Sequence, residues 1–452
     1  MNDKPSLTIA VFGLGHVGLP TALGFSELGL NVIGVESDHI KAQLIRDGHV
    51  PFNEAGVAGL LNKHIKSGKF AVITETKIAV EQANILFMCV GTPRGEDGSA
   101  NISQLEQLAH ELRDNISSHK IVIQKSTAPV NTSRKIRDIL HGRNNKNDLA
   151  LDQKTVDVVV IPEFLREGRA LDDFFNPRRI VVGLDNLELK PVILELYKPL
   201  LEKMNQGEDI FVFTDPSSAE IAKHASNAFL ATKISFINMV ADLCAKTGAN
   251  IETVAKAIGM DPRIGAEFLR AGIGFGGECL PKDLSAFIQT GKNNGLDFSL
   301  LESVQKINDD RVNAYLSQVV RQLGDLKEKT LAVWGVAFKP GTDDVRNSQS
   351  IAVIQRLVSQ KARLRVHDPF ALKEFKRASQ VSDLITFCES SSEAAYGAHA
   401  ILILTDWPQY SEENFLKLRE IVATPIIFDG RNMLDPGVLK AAGFQYQGIG
   451  LG

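Results

Sequence analysis

The spacing of apolar and polar positions changes twice along the chain and so marks three regions. Over residues 1–205, short apolar runs alternate with helix-like stretches, and the runs read LTIAVF, NVIGV, ILFMCV, KIVIQ, VDVVVI and RIVVG. Such alternation predicts a parallel sheet with crossover helices. Over residues 206–312 the apolar spacing becomes helical. A long stretch without Pro or Gly there predicts one long helix, which Ser217 or Ser218 can cap and Gly248 can end.

Strand-like runs return in residues 313–452, as KTLAVWGVAF, LRVHD, LITFC, AILILT and PIIFD. They predict a second α/β sheet. The expected fold class is therefore α/β, with two Rossmann-like doubly wound domains joined by a long central helix and a small helical domain. We expect domain boundaries at 1–205, 206–312 and 313–452. A polar stretch near residues 141–155 is expected to be an exposed insertion.

Composition narrows the class of protein. The chain has 452 residues, 44% hydrophobic and 23% charged, which is typical of a globular protein. Its net charge of −4 gives no reason to expect a nucleic-acid partner, and no apolar run reaches the length of a membrane span. The four cysteines form no CxxC pair, so we expect neither a metal site nor a disulfide framework, and we expect a cytoplasmic protein.

A glycine-rich turn follows the first predicted strand. Gly13, Gly15 and Gly18 have the GxGxxG spacing of a dinucleotide site and enclose His16 and Val17. The next predicted strand ends at Glu36, where a carboxylate can accept hydrogen bonds from both ribose hydroxyls and repel a 2′-phosphate. This favours NAD over NADP, although Lys41 supplies a cation that could tolerate a phosphate. The alternative is a glycine turn without a ligand, which the strand–turn–helix–strand context disfavours.

Two further strand ends carry small polar residues. Gly91, Thr92 and Pro93 follow ILFMCV, and Ser126 and Thr127 follow KIVIQ. Ligands of open α/β sheets lie outside the carboxyl ends of the strands, so both loops are expected to line the cofactor and the reacting carbon. The alternative is ordinary turn chemistry.

Cys279 lies in a different setting from the other cysteines. It follows four glycines within six positions, and Lys282 and Asp283 lie three and four residues after it. Glycines can expose backbone amides to a ligand, and nearby amides or cations convert a thiol to a nucleophilic thiolate. Asp283 could act as a base or position a water. The remaining three, Cys89, Cys244 and Cys388, lie in apolar stretches and are expected to be buried.

Lys223 and Asn227 are one helical turn apart and share a face of the long predicted helix. Together they could stabilise an oxyanion. On spacing alone, a Lys and an Asn on a solvated helix face is the better interpretation.

Nine motifs span nearly the whole chain. They are GLGHVGLP at 13–20, VGTP at 90–93, KSTAPV at 125–130, PEFLREG at 162–168, KHASNAFLATKISF at 223–236, DPRIG at 261–265, GFGGECLPKD at 274–283, FKPGTDDVRNS at 338–348 and FDGRN at 428–432. Together and in this order they resemble the UDP-glucose/GDP-mannose dehydrogenase family. The resemblance implies an enzyme that uses NAD twice to oxidise the C6 alcohol of a nucleotide sugar to a carboxylate.

The resemblance also implies roles for single residues. Cys279 matches the nucleophile, which captures the aldehyde as a thiohemiacetal that a second oxidation converts to a thioester. The other implied catalytic residues are Lys223 and Asn227 as the oxyanion-stabilising pair, Asp283 and Thr127 as holders of the catalytic water, and Glu163 as a base acting through water.

Ligand contacts carry over in the same way. Further cofactor contacts are implied at Glu167, Lys282 and Arg346. Arg263 is implied to reach the substrate across a dimer interface, and Lys339 and Arg431 to hold the nucleotide diphosphate. The full set of implied substrate contacts is Glu163, Phe164, Leu165, Arg166, Lys223, Asn227, Arg263, Phe275, Gly276, Lys339 and Arg431.

PEFLREG resembles the UDP-glucose and GDP-mannose branches more than the branches that act on N-acetylated sugars. DPRIG, FDGRN and the closing YQGIG resemble the UDP-glucose branch, whereas Leu280 after the cysteine resembles the GDP-mannose branch. On balance the resemblance favours UDP-glucose as the substrate and UDP-glucuronate as the product. Another UDP- or GDP-hexose, such as GDP-mannose or a UDP-N-acetylhexosamine, is the first alternative. A single-step dehydrogenase of the hydroxyacid type is the second; it needs neither Cys279 nor a third domain. A non-catalytic nucleotide-sugar binding protein is the third. A homodimer or higher homo-oligomer is implied.

Overall fold

The fold is described from a computed structural model, which describes residues 7–142, 156–378 and 382–451. The insertion predicted near residues 141–155 thus lies almost entirely outside the described residues. The chain forms two compact units, Met1–Ser226 and Asn227–Gly452, called here the N-terminal and C-terminal units. The predicted α/β class is confirmed, because each unit is built on a parallel-dominated sheet.

The N-terminal unit contains an eight-stranded sheet. Its strands and helices are β1 Thr8–Phe12, α1 Gly18–Glu27, β2 Asn31–Val35, α2 His39–Arg46, α3 Val57–Lys66, β3 Phe70–Ile73, α4 Thr76–Gln82, β4 Ile85–Met88, α5 Ser103–Asn115, β5 Lys120–Gln124, α6 Thr132–Leu140, β6 Val156–Val160, α7 Ala170–Phe175, β7 Ile180–Leu184, α8 Lys190–Met204 and β8 Phe211–Thr214.

The strand order β3-β2-β1-β4-β5-β6-β7-β8 begins with the doubly wound 3-2-1-4-5-6 order. Alternate residues of β1 point to opposite faces: Ile9 and Val11 join one buried cluster and Ala10 and Phe12 another. Helices therefore cover both faces of the sheet, as near-continuous apolar strands require.

One strand pairing differs from the parallel sheet that the sequence predicts. β7 runs antiparallel to β6. The connection between them contains only the short helix α7, so the chain does not cross to the far edge of the sheet. Residues 161–179 consequently stay at the carboxyl end of β6, beside the ends of β1, β4 and β5.

The long helix α9, Pro216–Thr247, has 32 residues and contains the boundary between the two units. Gly248 follows it with φ +76°, which confirms the predicted end. The predicted caps are wrong: Asp215 accepts hydrogen bonds from the backbone N–H and the hydroxyl of Ser218. An aspartate followed by proline at the first helical position is a strong start signal, and it outcompetes the serines.

By length and composition alone, α9 is long and apolar enough to span a membrane, contrary to the expectation from sequence. Its buried polar side chains nevertheless bond protein groups. The Ser235 hydroxyl donates to the Val304 carbonyl, and Asn238 Oδ1 accepts from the Gly272 N–H. These contacts are typical of a helix packed in a protein interior.

The C-terminal unit contains a six-stranded parallel sheet in the order β11-β10-β9-β12-β13-β14, which again follows the doubly wound pattern. Its elements after α9 are α10 Ile251–Gly259, α11 Cys279–Asn293, α12 Ser299–Leu323, β9 Thr330–Trp334, α13 Gln349–Ser359, β10 Arg363–His367, α14 Leu372–Ala378, β11 Ile385–Phe387, α15 Ser391–Ala395, β12 Ala400–Ile403, α16 Phe415–Ile421, β13 Ile426–Asp429, α17 Pro436–Ala441 and β14 Gln445–Gly448.

Candidate active site

The glycine turn between β1 and α1 has room for a ligand on one side only. A Cβ on Gly13, where φ is +87°, would lie 2.9 Å from the Cys89 carbonyl oxygen, and one on Gly18 would lie 1.8 Å from the Gly13 carbonyl oxygen. Apart from its chain neighbours, a Cβ on Gly15 would meet no atom of the described residues within 4 Å. The first and third glycines therefore serve packing, and the second faces open space where a pyrophosphate could approach the backbone. This geometry fits NAD.

Glu36 lies beside this turn and is almost fully buried. One carboxylate oxygen accepts the Leu14 N–H at 3.1 Å and meets Lys41 Nζ at 2.7 Å, and the other accepts the Asp38 N–H at 3.2 Å. The carboxylate is thus held in place by the turn itself. Lys41 is directed at Glu36, so it offsets part of the negative charge that would repel a 2′-phosphate.

The two polar loops at the ends of β4 and β5 are joined by hydrogen bonds. Ser126 Oγ donates to the Val90 carbonyl at 2.6 Å, and Thr92 Oγ1 donates to the Thr127 carbonyl at 2.7 Å. These hydroxyls fix one loop against the other. Gly91 and Pro93 are exposed next to them.

The end of β6 carries a buried ion pair. Lys223 Nζ lies 3.0 Å from Glu163 Oε1, and the two side chains are 5% and 6% exposed. Glu163 also accepts the Leu165 N–H at 2.6 Å. The interpretation of Lys223 and Asn227 as residues of a solvated helix face is wrong, because both are buried. The position of Lys223 depends on a long-range contact that helical spacing does not contain.

The rest of the 162–168 segment is more open. The Phe164 ring lies 3.8 Å from the guanidinium carbon of Arg179 and 5.2 Å from Lys223 Nζ. Arg166 is exposed and forms an ion pair with Asp173. Leu165 and Glu167 are half-buried.

Lys125 is a charged residue of this region that the sequence did not single out. It follows β5 and is buried. Burial lowers the pKa of its ammonium group, and Lys223 acts in the same direction, whereas Cys89 and Glu163 raise it. The apolar run before Lys125 indicates a buried lysine at a strand end, but the sequence does not indicate which residues surround that lysine.

In the C-terminal unit, Cys279 is exposed and is the first residue of α11. Asp283 lies one turn later and is 1% exposed. Its carboxylate accepts from Asn227 Nδ2 at 2.6 Å and from Lys282 Nζ at 2.5 Å. The helix therefore presents an exposed thiol one turn from a carboxylate whose two partners were both predicted as site residues.

The glycines before Cys279 pack closely against neighbouring segments. A Cβ on Gly276 would lie 2.4 Å from the Asn347 carbonyl oxygen, and one on Gly277 would lie 2.7 Å from the Phe338 ring. The N–H groups of Gly272, Ile273 and Phe275 are already bonded within the protein. This corrects the expectation that the glycines expose these amides for a ligand; at Gly276 and Gly277, the residue is required by close approach.

Arg431 follows β13 and reaches three segments. Its guanidinium donates to the Leu404 carbonyl at 2.7 Å, to the Gly274 carbonyl at 3.0 Å and to the Phe338 carbonyl at 3.4 Å. Burial lowers the pKa of this guanidinium. Most of its donors are thus engaged by the protein, including the loop that leads to Cys279.

The other predicted cations of this unit are less enclosed. Arg346 makes a two-pronged pair with Asp344 and lies 3.5 Å from Glu278. Lys339 Nζ lies 5.4 Å from the centre of the Phe338 ring. Arg263 is paired with Asp261 and its side chain is 87% exposed. The ring of Phe275 is buried in a cluster with α9, α11 and α12.

Within the ranges that the structure describes, no group of three or more His, Cys, Asp or Glu side chains is arranged to hold a metal ion.

Three domain models of one family match the chain in order. They are the UDP-glucose/GDP-mannose dehydrogenase family's NAD binding domain at residues 7–201, its central domain at 217–310 and its UDP binding domain at 332–436.

Relatives match over almost their full length. A UDP-glucose 6-dehydrogenase of Bacillus subtilis, YwqF, is 38% identical, with 98% of each chain covered. A UDP-glucose 6-dehydrogenase of Pseudomonas aeruginosa is 37% identical, with 98% of this chain and 97% of the relative covered. Among solved structures, a UDP-glucose dehydrogenase from Pyrobaculum islandicum is similar with a TM-score of 0.89 and 31% identity, covering 100% of this chain and 99% of the other.

Proposed function

We propose, from the premise that this chain belongs to the UDP-glucose/GDP-mannose dehydrogenase family, that it is an NAD-dependent enzyme that oxidises UDP-glucose to UDP-glucuronate. The observation that carries the proposal is the exposed Cys279 at the start of α11, one turn before a buried Asp283 held by Asn227 and Lys282. An enzyme that stopped at the aldehyde would need no such thiol.

The reaction removes four electrons from C6 in two steps. Bound NAD supplies the hydride acceptor for each. Loss of the alcohol proton and a first hydride gives the aldehyde, and the Cys279 thiolate then adds to its carbon to form a thiohemiacetal. Loss of a second hydride leaves a thioester. Water adds to the thioester and the C–S bond breaks, which releases the carboxylate product and regenerates the Cys279 thiolate, so one water is consumed and three protons are released overall.

The chain's own groups handle charge and protons in these steps. Lys223 and Asn227 stabilise the oxyanions on the C6 oxygen as the thiohemiacetal forms and as the thioester is attacked. Glu163, already held by Lys223, takes the alcohol proton through a water. Asp283 and Thr127 hold the water that hydrolyses the thioester.

The proposed cofactor residues surround the glycine turn and the neighbouring strand ends. The pyrophosphate approaches the backbone at Gly15, and Glu36 meets the adenosine ribose. The full proposed set is Gly13, Gly15, His16, Val17, Gly18, Glu36, Lys41, Gly91, Thr92, Pro93, Ser126, Thr127, Glu167, Lys282 and Arg346.

The proposed substrate residues hold the sugar and the diphosphate. The sugar follows the segment Glu163, Phe164, Leu165 and Arg166 and meets the loop at Phe275 and Gly276. Lys339 and Arg431 hold the diphosphate. Arg431 uses the N–H groups that are not bonded to the Leu404, Gly274 and Phe338 carbonyls. The exposed Arg263 reaches the substrate of a partner subunit.

We propose further that the protein acts in the cytoplasm as a homodimer or higher homo-oligomer, with residues 1–205 binding NAD, 206–312 carrying the catalytic loop and the dimer contact, and 313–452 binding the nucleotide. The exposed apolar side chains of Phe229, Phe236, Met239 and Leu243 support the dimer contact, because they form a stripe along α9.

The test is a substrate panel. Purified protein is assayed for NADH or NADPH formation with UDP-glucose, UDP-N-acetylhexosamines, GDP-mannose and a simple hydroxyacid. We expect turnover with UDP-glucose and NAD. If another nucleotide sugar is preferred, that sugar replaces UDP-glucose as the proposed substrate. If the hydroxyacid is preferred, a single-step hydroxyacid oxidation replaces the proposed reaction. Binding of NAD and UDP-glucose without formation of reduced cofactor would indicate a non-catalytic protein.

A further inference from the structure

The loop that leads to Cys279 is held from outside by a buried amide. Asn308, on α12, is 4% exposed. Its Oδ1 accepts the Phe275 N–H at 2.8 Å and its Nδ2 donates to the Phe275 carbonyl at 3.1 Å. The side chain thus pairs with both backbone groups of one residue, as a neighbouring strand would.

The fit around this amide is close. Gly274 has φ +99°, and a Cβ there would lie 2.6 Å from Asn308 Oδ1. Gln349 Nε2 donates to the same Phe275 carbonyl at 3.0 Å. Asn347 Nδ2 donates to the Gly277 carbonyl at 3.2 Å, two residues before the cysteine. A loop made flexible by glycine is therefore fixed by side-chain amides along the stretch that ends at α11.

We propose that Asn308 is a positioning residue for Cys279. By fixing the peptide groups of Phe275, it sets the backbone from which α11 begins and so the direction of the Cys279 thiol. The proposal takes from the proposed function only the role of Cys279 as nucleophile. Covalent attack depends on alignment, and a displacement of about 1 Å can cost about 100-fold in rate. Cys279 is already exposed, so loosening the loop would disturb its orientation without improving access to it.

The experiment uses Asn308→Leu, which keeps the side-chain size and removes both hydrogen bonds. The first readout is the rate at which iodoacetamide alkylates Cys279 in the full-length, ligand-free protein. We expect it to fall about fivefold or more, since the reactive thiolate depends on its local setting. The second is steady-state turnover, where we expect kcat to fall about 10- to 100-fold and KM for UDP-glucose to change less than about twofold.

Two controls separate positioning from general damage. Asn313→Leu makes the same change at an exposed site of α12, and Val319→Ala destabilises the buried face of that helix away from the loop. Both are expected to alkylate at the wild-type rate. If Asn308→Leu does not fold, Asn308→Ser, whose shorter side chain cannot form both hydrogen bonds to Phe275, decides by the same alkylation readout.

Slower alkylation in the deciding variant, with both controls unchanged, supports the proposal. A wild-type or faster rate in that variant, or an equal loss in Val319→Ala, overturns it. Alkylation needs no substrate, so the result stands even if the wild-type protein does not oxidise UDP-glucose; that failure would instead refute the proposed function.

Discussion

Cys279 differs from the other three cysteines in its surroundings. Cys89, Cys244 and Cys388 are buried, and burial raises the pKa of the Cys89 thiol to about 12 and also raises the pKa of Cys388. The sequence predicted this division from local polarity alone, and it is confirmed. At the scale of single residues, burial leaves Cys279 as the exposed thiol among the four cysteines described.

The expected consequence is selective labelling. Iodoacetamide added to the native protein near neutral pH should attach one group per chain, at Cys279, because the other three thiols are buried. Intact mass and peptide mapping measure this, and protein unfolded in urea provides the control in which all four react. Labelling of native Cys89 at the rate of Cys279 would contradict the account.

The Glu163–Lys223 pair makes a prediction about stability. Both side chains are nearly fully buried, so Lys223→Met leaves an uncompensated carboxylate and should lower the free energy of unfolding by about 3 kcal/mol. Adding Glu163→Gln should restore part of the loss. Urea denaturation of the two single variants and the double variant measures the coupling.

The matched control is the exposed pair Arg363–Glu328, whose side chains are 60% and 58% exposed. Arg363→Met should cost less than about 1 kcal/mol. Equal losses at the two sites would show that the Glu163–Lys223 pair is not the buried, coupled unit described.

At the scale of whole elements, local patterns predicted α9 and eleven of the fourteen strands described, because amphipathic spacing and apolar runs are local properties. They did not predict β3, β8 or β14. They did not predict that β7 is antiparallel, since pairing partners are chosen by tertiary packing. Nor did they rank Asp215 above the serines as the cap of α9. The last two differences concern how an element begins or pairs, where several local signals compete.

The exposed stripe on α9 predicts an association. Phe229, Phe236, Met239 and Leu243 are 66%, 47%, 49% and 62% exposed, and their spacing places them along one face. Phe229→Glu combined with Leu243→Glu should convert the wild-type oligomer to a smaller species in sedimentation velocity. Leu187→Glu, at an isolated apolar residue 75% exposed, is the control. A wild-type protein that sediments as a monomer would contradict the proposal.

The first turns of α9 also hold α6. Glu220 accepts the N–H groups of Asn131 and Ser133 at 2.7 and 2.8 Å. Burial raises the pKa of Glu220, whereas a hydrogen bond from Lys63 is the main cause that lowers the pKa of Glu27. A raised carboxyl pKa means that the folded chain holds the proton more tightly, so stability from Glu220 is largest at low pH and declines as pH rises through that pKa.

Two variants test the sign. The difference in free energy of unfolding between the wild type and Glu220→Gln should decrease as pH is raised from about 4. For Glu27→Gln the difference should increase over the same range, because a lowered pKa contributes stability that is lost as pH falls. Urea titrations at several pH values measure both, and parallel slopes for the two variants would contradict the assigned pKa directions.

At the scale of the whole molecule, the sequence indicated the groups proposed to act on the substrate but not the residues that hold those groups in place. The glycine turn and Cys279 stand in contiguous motifs, so they could be read directly. The roles of Asn308 and Lys125 could not be read from the sequence, because they depend on residues more than thirty positions away. The same holds for Asp283, whose partner Asn227 lies on another helix.

The proposed reaction requires Lys223, Asn227, Cys279 and Asp283 to act on one carbon. The central claim is that the Cys279 thiol makes a second oxidation of the same carbon possible. The most direct measurement is the number of NADH molecules formed per UDP-glucose consumed, with the product identified by mass. The account predicts two NADH and a carboxylate for the wild type, and a loss of carboxylate formation of at least about 10³-fold in Cys279→Ser with NAD binding near normal. One NADH per UDP-glucose, or unchanged carboxylate formation by Cys279→Ser, would contradict it.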